Sequence, residues 1–223
     1  MRRSGLLLQG TAYRRLEDGS TETAELEPQF VVELKSGHRF TATVRATHED
    51  LDRGFGLPGD AEVLEGKYDF AAGKLEFRQS SSSLLRVNLS AEAGGFFDGR
   101  AASASMTGTW TPSKHFELET TYQIEDVRFD DRDQGFTAHI LRLRTAARVD
   151  TRISSGALVQ YNSAANAVTV NLRLRYNPRE GTDLYLVWNE GLVTDRFSFN
   201  PVRPLSDRRS LLMKYSQTLT LGL

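Results

Sequence analysis

The chain has 223 residues, a net charge of -1 and no cysteine, with a sequence pI of about 6.4 and a mean hydropathy of -0.42. Near-neutrality leaves no electrostatic footprint for nucleic acid, and the lack of cysteine excludes disulfides and cysteine-based metal or thiol chemistry. No run of about eighteen apolar residues exists, which excludes a helical membrane span but not a β-barrel, whose strands are only half apolar.

Residues 1–10, MRRSGLLLQG, have positive charge but too short an apolar run, and no cleavage pattern, for a secretory leader. A first strand is expected over about 4–16, turned by Asp18, Gly19 and Ser20. In the second, Ala24, Leu26, Phe30, Val32 and Leu34 share one parity and Glu25, Glu27, Gln29, Glu33 and Lys35 the other. That is period two, not 3.6. Pro28 cannot donate to a ladder, so this strand is expected to bulge or to project beyond its neighbours.

Ser36 and Gly37 turn the chain into a third strand with Phe40, Ala42, Val44 and Ala46 on the apolar parity. From about 48 to 67 the pattern stops, and GFGLPGD is loop chemistry. A fourth strand is expected over 69–78, then a polar turn, then a fifth with Leu85, Val87, Leu89, Ala91 and Ala93 on one side. After GGFFDG, read as a loop, the sixth carries Ala102, Ala104, Met106, Gly108 and Trp110, and 112–114 turn the chain. The seventh sets Phe116, Leu118, Tyr122 and Ile124 against Glu117, Glu119, Gln123 and Glu125.

The eighth, over 137–149, sets Leu141, Leu143, Ala147 and Val149 against Arg142, Arg144 and Arg148. The ninth to eleventh span 153–162, 166–177 and 183–189, joined by hairpin-length connections. In the tenth, Val168, Val170, Leu172, Leu174 and Tyr176 face one way and Thr169, Asn171, Arg173, Arg175 and Asn177 the other. A twelfth is expected over 210–223, with Leu211, Met213, Tyr215, Leu219 and Leu221 on one parity.

Strands of about ten residues, apolar on one side and charged on the other, are the unit of a transmembrane β-barrel. Consecutive antiparallel strands put alternate connections on one side. SG, QSSS, PSK, 149–151 and PREG form a short set, while DGS, 48–67, GGFFDG, FDDRDQG, SAA and 190–209 form a set containing both long segments. Aromatics sort in the same way, as bilayer interfaces demand: Phe30, Phe40, Phe77, Trp110, Phe116 and Tyr176 near the short-turn ends, and Phe136, Tyr161 and Trp188 near the others.

The expected fold is therefore all-β: one domain over 1–223, an antiparallel up-and-down transmembrane β-barrel of about twelve strands, complete or the C-terminal part of a larger one. The runs VQYNS, NLRLRYN and GTDLYLVWNEG, with EGKYDF, GGFFDGR and THA-to-LRLR stretches ahead of them, resemble the closing part of the bacterial outer-membrane family "domain of unknown function 5916". The resemblance covers about two thirds of the chain. It implies an outer-membrane location, a missing upstream signal and carbohydrate-binding family 9-like domain, and so a fragment of a longer precursor. The partners implied are outer-membrane lipid, and carbohydrate through external loops or the upstream domain.

No catalytic motif appears: there is no GxSxG, P-loop or dinucleotide fingerprint. His38, His48, His115 and His139 have no metal-ligand spacing, and the DDRDQG tip lacks the twelfth-position glutamate of a calcium loop. No cofactor or metal is expected. Glu117, Glu119 and Glu125 could form a general acid/base pair of glycosidase type, but as lumen carboxylates they more simply face Arg142, Arg144, Arg148, Arg173 and Arg175 in a charge ladder, with Glu119 opposite Arg144. The expected role is structural and transport-related. The alternatives are a soluble lipocalin-like binding barrel with its leucines inside and a glycan-active hydrolase. Phe197, Phe199, Asn200 and Pro201 make segment 190–209 a candidate for stacking on sugars.

Overall fold

The computed structural model describes residues 1–80 and 83–218. Its strands are β1 (Arg3–Arg14), β2 (Thr21–Glu33), β3 (Arg39–Leu51), β4 (Phe55–Gly56), β5 (Glu62–Val63), β6 (Gly66–Arg78) and β7 (Leu85–Phe96). They continue with β8 (Gly99–Ser113), β9 (Phe116–Phe129), β10 (Gln134–Arg148), β11 (Ile153–Asn162), β12 (Ala167–Arg179), β13 (Thr182–Val193) and β14 (Ser206–Gln217). All but β4 and β5 form one 12-stranded sheet in sequence order, an antiparallel up-and-down arrangement. The expected continuation of the last strand to Leu223, with Leu219 and Leu221, lies outside the described residues.

The chain divides into two units, Met1–Thr107 with Gln123–His139, and Gly108–Tyr122 with Ile140–Leu223, so β8, β9 and β10 contribute to both. In the first unit β2 runs antiparallel to β1, with Leu6 opposite Phe30 and Leu8 opposite Pro28. Pro28 makes no bulge: pairing of β2 with β3 lapses at Glu27 and Pro28 and resumes at Leu26 opposite Ala46 and Gln29 opposite Thr43, in one unbroken register. A missing N–H removes ladder bonds without adding a residue, so the register has no reason to slip.

Side chains are sorted opposite to a soluble protein. Phe40 and Val44 are 45% and 55% exposed while Thr43 between them is 7% exposed. Leu75 is 65% exposed, beside the ion pair of Lys74 and Glu76 at 3.3 Å. The second unit repeats the pattern, with Trp110, Leu174 and Met213 exposed and Thr109 buried. Among the described residues only Ala61, Val63, Val127, Phe129 and Ala138 are both apolar and buried, and all five belong to the first unit. Leu172 and Leu174, which a lipocalin-like core would enclose, are exposed.

Rings on the apolar face pair across strands. Phe40 lies opposite Phe77 with centroids 4.9 Å apart, and Trp110 meets Phe116 at 6.1 Å. Phe136 is a correction to the expected girdle. It shares parity with Ala138 rather than with Leu141 and packs against the buried cluster of Val63, Val127 and Phe129. Counting residues back from Leu141 places it on the polar face, where a patch of apolar packing awaits it.

GGFFDG is also not a loop. β7 runs through Gly94 and Gly95 to Phe96, and only Phe97 and Asp98 separate it from β8. A Cβ at Gly94 would lie 2.4 Å from the Ala71 carbonyl oxygen, so the glycine serves close strand approach and not turning. On the opposite connections, 149–152 is closed by Asp150, whose Oδ1 accepts from the N–H groups of Ile153 and Arg152 at 2.8 and 2.7 Å. Those two bonds hold its carboxyl below the usual carboxylate range.

Substituting Gly94 by Val is expected to cost about 1–3 kcal/mol of stability through forced strand separation, read as a lower urea midpoint of the refolded protein in detergent micelles. Gly73→Ala, where a Cβ meets nothing within 4 Å, leaves the midpoint in place. Equal midpoints for both variants would remove the close-approach explanation.

Candidate functional site

Most of the polar side chains gather on the face opposite the apolar residues of each unit, while His48 with Asp69 and Glu190 with Arg209 pair on the apolar parity near strand ends. In the first unit the centre of the polar face is Arg45 on β3. Its Nε lies 2.6 Å from Glu27 and 2.8 Å from Glu25, and its Nη1 3.2 Å from Glu92. One guanidinium thus ties β2, β3 and β7 across the strand β6 that carries Lys74. Each cross-strand pair of this kind stabilises by roughly 0.2–1 kcal/mol.

At one end of the same face the segment 52–65 folds back onto the sheet, which the sequence did not reveal. β4 and β5 form a small hairpin, with Phe55 opposite Val63 and Leu57 N–H donating to Ala61 at 2.8 Å. Ala61 and Val63 sink against Val127 and Phe129 of β9, with Leu51, Tyr68, Phe96 and Phe136 around them. Phe97, at φ 52°, brings its ring to 5.7 Å from Phe55, 5.2 Å from Tyr68 and 4.9 Å from Phe96.

Arg132 fastens this hairpin. It follows β9 in the short helical turn Asp130–Arg132. Its Nη1 and Nη2 donate to the two Asp98 oxygens at 2.6 and 3.2 Å, and Nη2 also donates to the Glu62 carbonyl at 2.9 Å. The guanidinium lies 4.5 Å over the Phe129 ring. Together these make an apolar plug on an otherwise polar surface.

In the second unit the register lays out the polar face as rows. Arg148, Ser154, Arg175, Tyr185 and Lys214 are successive partners from β10 to β14; Ala146, Gly156, Arg173, Val187 and Leu212 form the next row; Arg144, Leu158, Asn171, Asn189 and Ser210 the third. Asn171 donates to Asn189, and Asn189 Nδ2 donates to Ser210 Oγ at 3.1 Å. Arg175 Nε donates to Asp183 Oδ1 at 2.6 Å, which Asn177 also reaches at 3.0 Å. Arg173 lies 4.9 Å over the Tyr185 ring.

Some residues of the expected charge ladder have other partners. The carboxylate that Arg175 meets is Asp183, Arg142 donates to Gln160 at 3.2 Å, and among the described residues no ion pair joins Glu119 to Arg144. Parity identifies a face, but which charges touch is set by side-chain reach across neighbouring strands. Glu25, Glu27 and Glu92 around Arg45 form a charge cluster that the sequence reading did not single out. Of the four histidines, His48 Nδ1 meets Asp69 at 2.7 Å, His38 Nδ1 accepts from Ser80 N–H at 3.1 Å, and His115 Nδ1 lies 2.8 Å from the Arg148 carbonyl.

The long connection 194–205 also packs on its own unit. Val193 N–H donates to Leu205 and Thr194 N–H to Asn166 at 2.9 and 2.8 Å. Arg203 covers one face of Phe199 at 3.6 Å, and Arg196 lies 4.9 Å from the Phe197 centroid. Below them is a cavity of 640 Å³ bordered by Asn171, Asn189, Glu190, Asp195, Phe199 and Arg203. Glu190, 9% exposed, is held by Arg209 through Nε at 3.1 Å.

These features define an all-β protein with an antiparallel up-and-down sheet, one face apolar and exposed, the other charged and locally plugged. No family model matches this sequence, and no curated protein matches it. Two solved structures align with it. A NanC porin does so at 11% identity over 96% of this chain and 99% of its own, with a TM-score of 0.38. The Ralstonia pickettii toluene transporter TbuX does so at 11% identity over 85% of this chain and 72% of its own, with a TM-score of 0.35.

Replacing Arg132 by Ala removes three hydrogen bonds made by a charged donor, each contributing about 1.5–3 kcal/mol. The hairpin is then expected to open at least about tenfold more often. Trypsin cleavage after Arg53 reads this directly, and an unchanged cleavage rate would show that apolar packing alone holds the segment.

Proposed function

We propose that the chain is the membrane-embedded β-barrel part of a bacterial outer-membrane protein, structural and solute-passing in role, and that it belongs to a carbohydrate-handling surface protein. The observation that carries the membrane reading is the inverted sorting of side chains. Phe40, Val44, Leu75, Leu174 and Met213 are exposed, while arginines, glutamates and asparagines bond to one another on the opposite parity. Water gives no stability to such a surface, whereas a bilayer does.

In that medium every backbone donor and acceptor must be paired within protein, so the reading requires the edge strands to be closed in the membrane. The polar faces then provide the aqueous path, narrowed in the first unit by the hairpin at 52–65. A passive role fits the carboxylates, since Glu25, Glu27, Glu92, Asp183 and Glu190 are each held by an arginine and not poised in apolar pockets as acids would be. The carbohydrate part rests on the family resemblance and on the cavity beneath 194–205, where amides, a carboxylate and Phe199 offer hydrogen bonds and a ring surface.

The absence of native cysteine allows a clean test. In lipid vesicles a water-soluble maleimide is expected to label Ser105→Cys and Ser154→Cys on the polar faces and to spare Val44→Cys and Leu174→Cys, with all four reacting in urea. Leu174→Lys is expected to cost about 2–4 kcal/mol of stability in the bilayer if it lies near mid-depth. Labelling of Val44→Cys and Leu174→Cys in vesicles would sink the membrane reading.

A further inference from the structure

We infer that the polar face of β10, β11 and β12 holds a binding cleft for small organic anions, with Arg144, Arg148 and Arg173 gripping a carboxylate or phosphate head. The inference deepens the transport reading of this face and rests on it for its physiological setting.

The cleft follows from register. Arg144 and Arg148 lie on β10, Arg173 on β12, and the β11 residues between them on this face are Ser154, Gly156 and Leu158. Two strand spacings separate β10 from β12 by about 9.6 Å, and rows two residues apart are about 6.8 Å apart. Long cationic side chains therefore rise on both sides of a floor made small by Ser154 and Gly156. The result is a cavity of 390 Å³ bordered by the three arginines, Arg175, Ser154 and Gly156.

Charge compensation separates these arginines from Arg175, Arg209 and Arg45. Arg175 is paired with Asp183 at 2.6 Å, Arg209 with Glu190 and Arg45 with three glutamates. Among the described residues no carboxylate lies within ion-pair distance of Arg144, Arg148 or Arg173, and no Asp or Glu borders the cavity. Like charges gathered on one confined surface repel, and the guanidinium fork matches the oxygens of carboxylate and phosphate. Tyr185 supports Arg173 from beneath its plane, which leaves its N–H edges free to donate.

The body of the ligand is indicated by the adjoining space. A second cavity, of 450 Å³, shares Asn171 and Arg173 with the first and is walled by Tyr185, Val187, Leu212 and Lys214. Apolar side chains on a polar face, next to an uncompensated guanidinium, suit a solute with a charged head and a less polar body. Hydrated inorganic ions use only the first cavity.

The test uses the whole chain refolded in detergent micelles, with calorimetric titration of inorganic phosphate, phenyl phosphate and benzoate. Phenyl phosphate is expected to bind more tightly than phosphate, with affinity falling as salt rises, and benzoate shows whether the head is read as carboxylate too. Arg173→Gln is expected to weaken binding at least about tenfold. Gly156→Leu fills the floor and weakens it similarly without moving backbone, because a Cβ there meets only the Thr145 carbonyl at 3.4 Å; circular dichroism confirms that both variants fold. No heat of binding with any probe, or affinity untouched by both substitutions, overturns the cleft. Parallel conductance in planar bilayers tests the transport reading by itself: binding without conductance keeps the cleft and removes the channel, and conductance without binding does the reverse.

Discussion

The structure depends on one constraint, that an extended chain presents unlike faces at alternate residues while its backbone demands a partner on either side. Twelve antiparallel strands in sequence order meet the second demand for every strand between β1 and β14. The first then decides everything else, because a slip of one residue would exchange Val44 for Arg45 and Leu174 for Arg175. The long unbroken registers of β3 with β6 and of β11 with β12 are what keep apolar and charged residues on separate faces.

How far this could be read in advance follows from the same constraint. Period two is a local signal, so the twelve long strands were legible from runs such as Val168 to Tyr176, and the apolar parity with them. Contacts between strands are not local. Arg175 has Asp183 eight residues away across a hairpin, yet nothing in either strand alone prefers Asp183 to Glu119. The hairpin at 52–65 was hidden for another reason: its glycines and Pro58 are loop residues, and its packing relies on Val127 and Phe129, far away in the chain. Phe136 departs from the girdle because its even number sets it with Arg142 and Arg144, whatever its aromatic character suggests.

The two polar faces solve the burial of charge differently. In the first unit acids outnumber bases around Arg45, every partner is close, and the end of the face is closed by apolar packing. In the second the bases are in excess, and small residues on β11 stand where bulky neighbours could have been. A sheet with a uniform hairpin plan thus carries two chemically distinct surfaces, and the difference lies wholly in side chains that leave the backbone ladder unaltered.

β1 has a consequence for the life of the chain before it folds. Leu6, Leu7 and Leu8 are all exposed, and residues 5–12, GLLLQGTA, contain neither charge nor proline. An uncharged apolar segment with a free strand edge is a template for self-association in water. Arg2 and Arg3 before it and Arg14 and Arg15 after it act as electrostatic gatekeepers, and in the folded sheet Arg2 and Arg3 turn to Glu33 at 3.0 and 2.6 Å. The Arg2 and Arg3 guanidinium groups thus serve twice, fastening the finished strand and repelling unfolded copies.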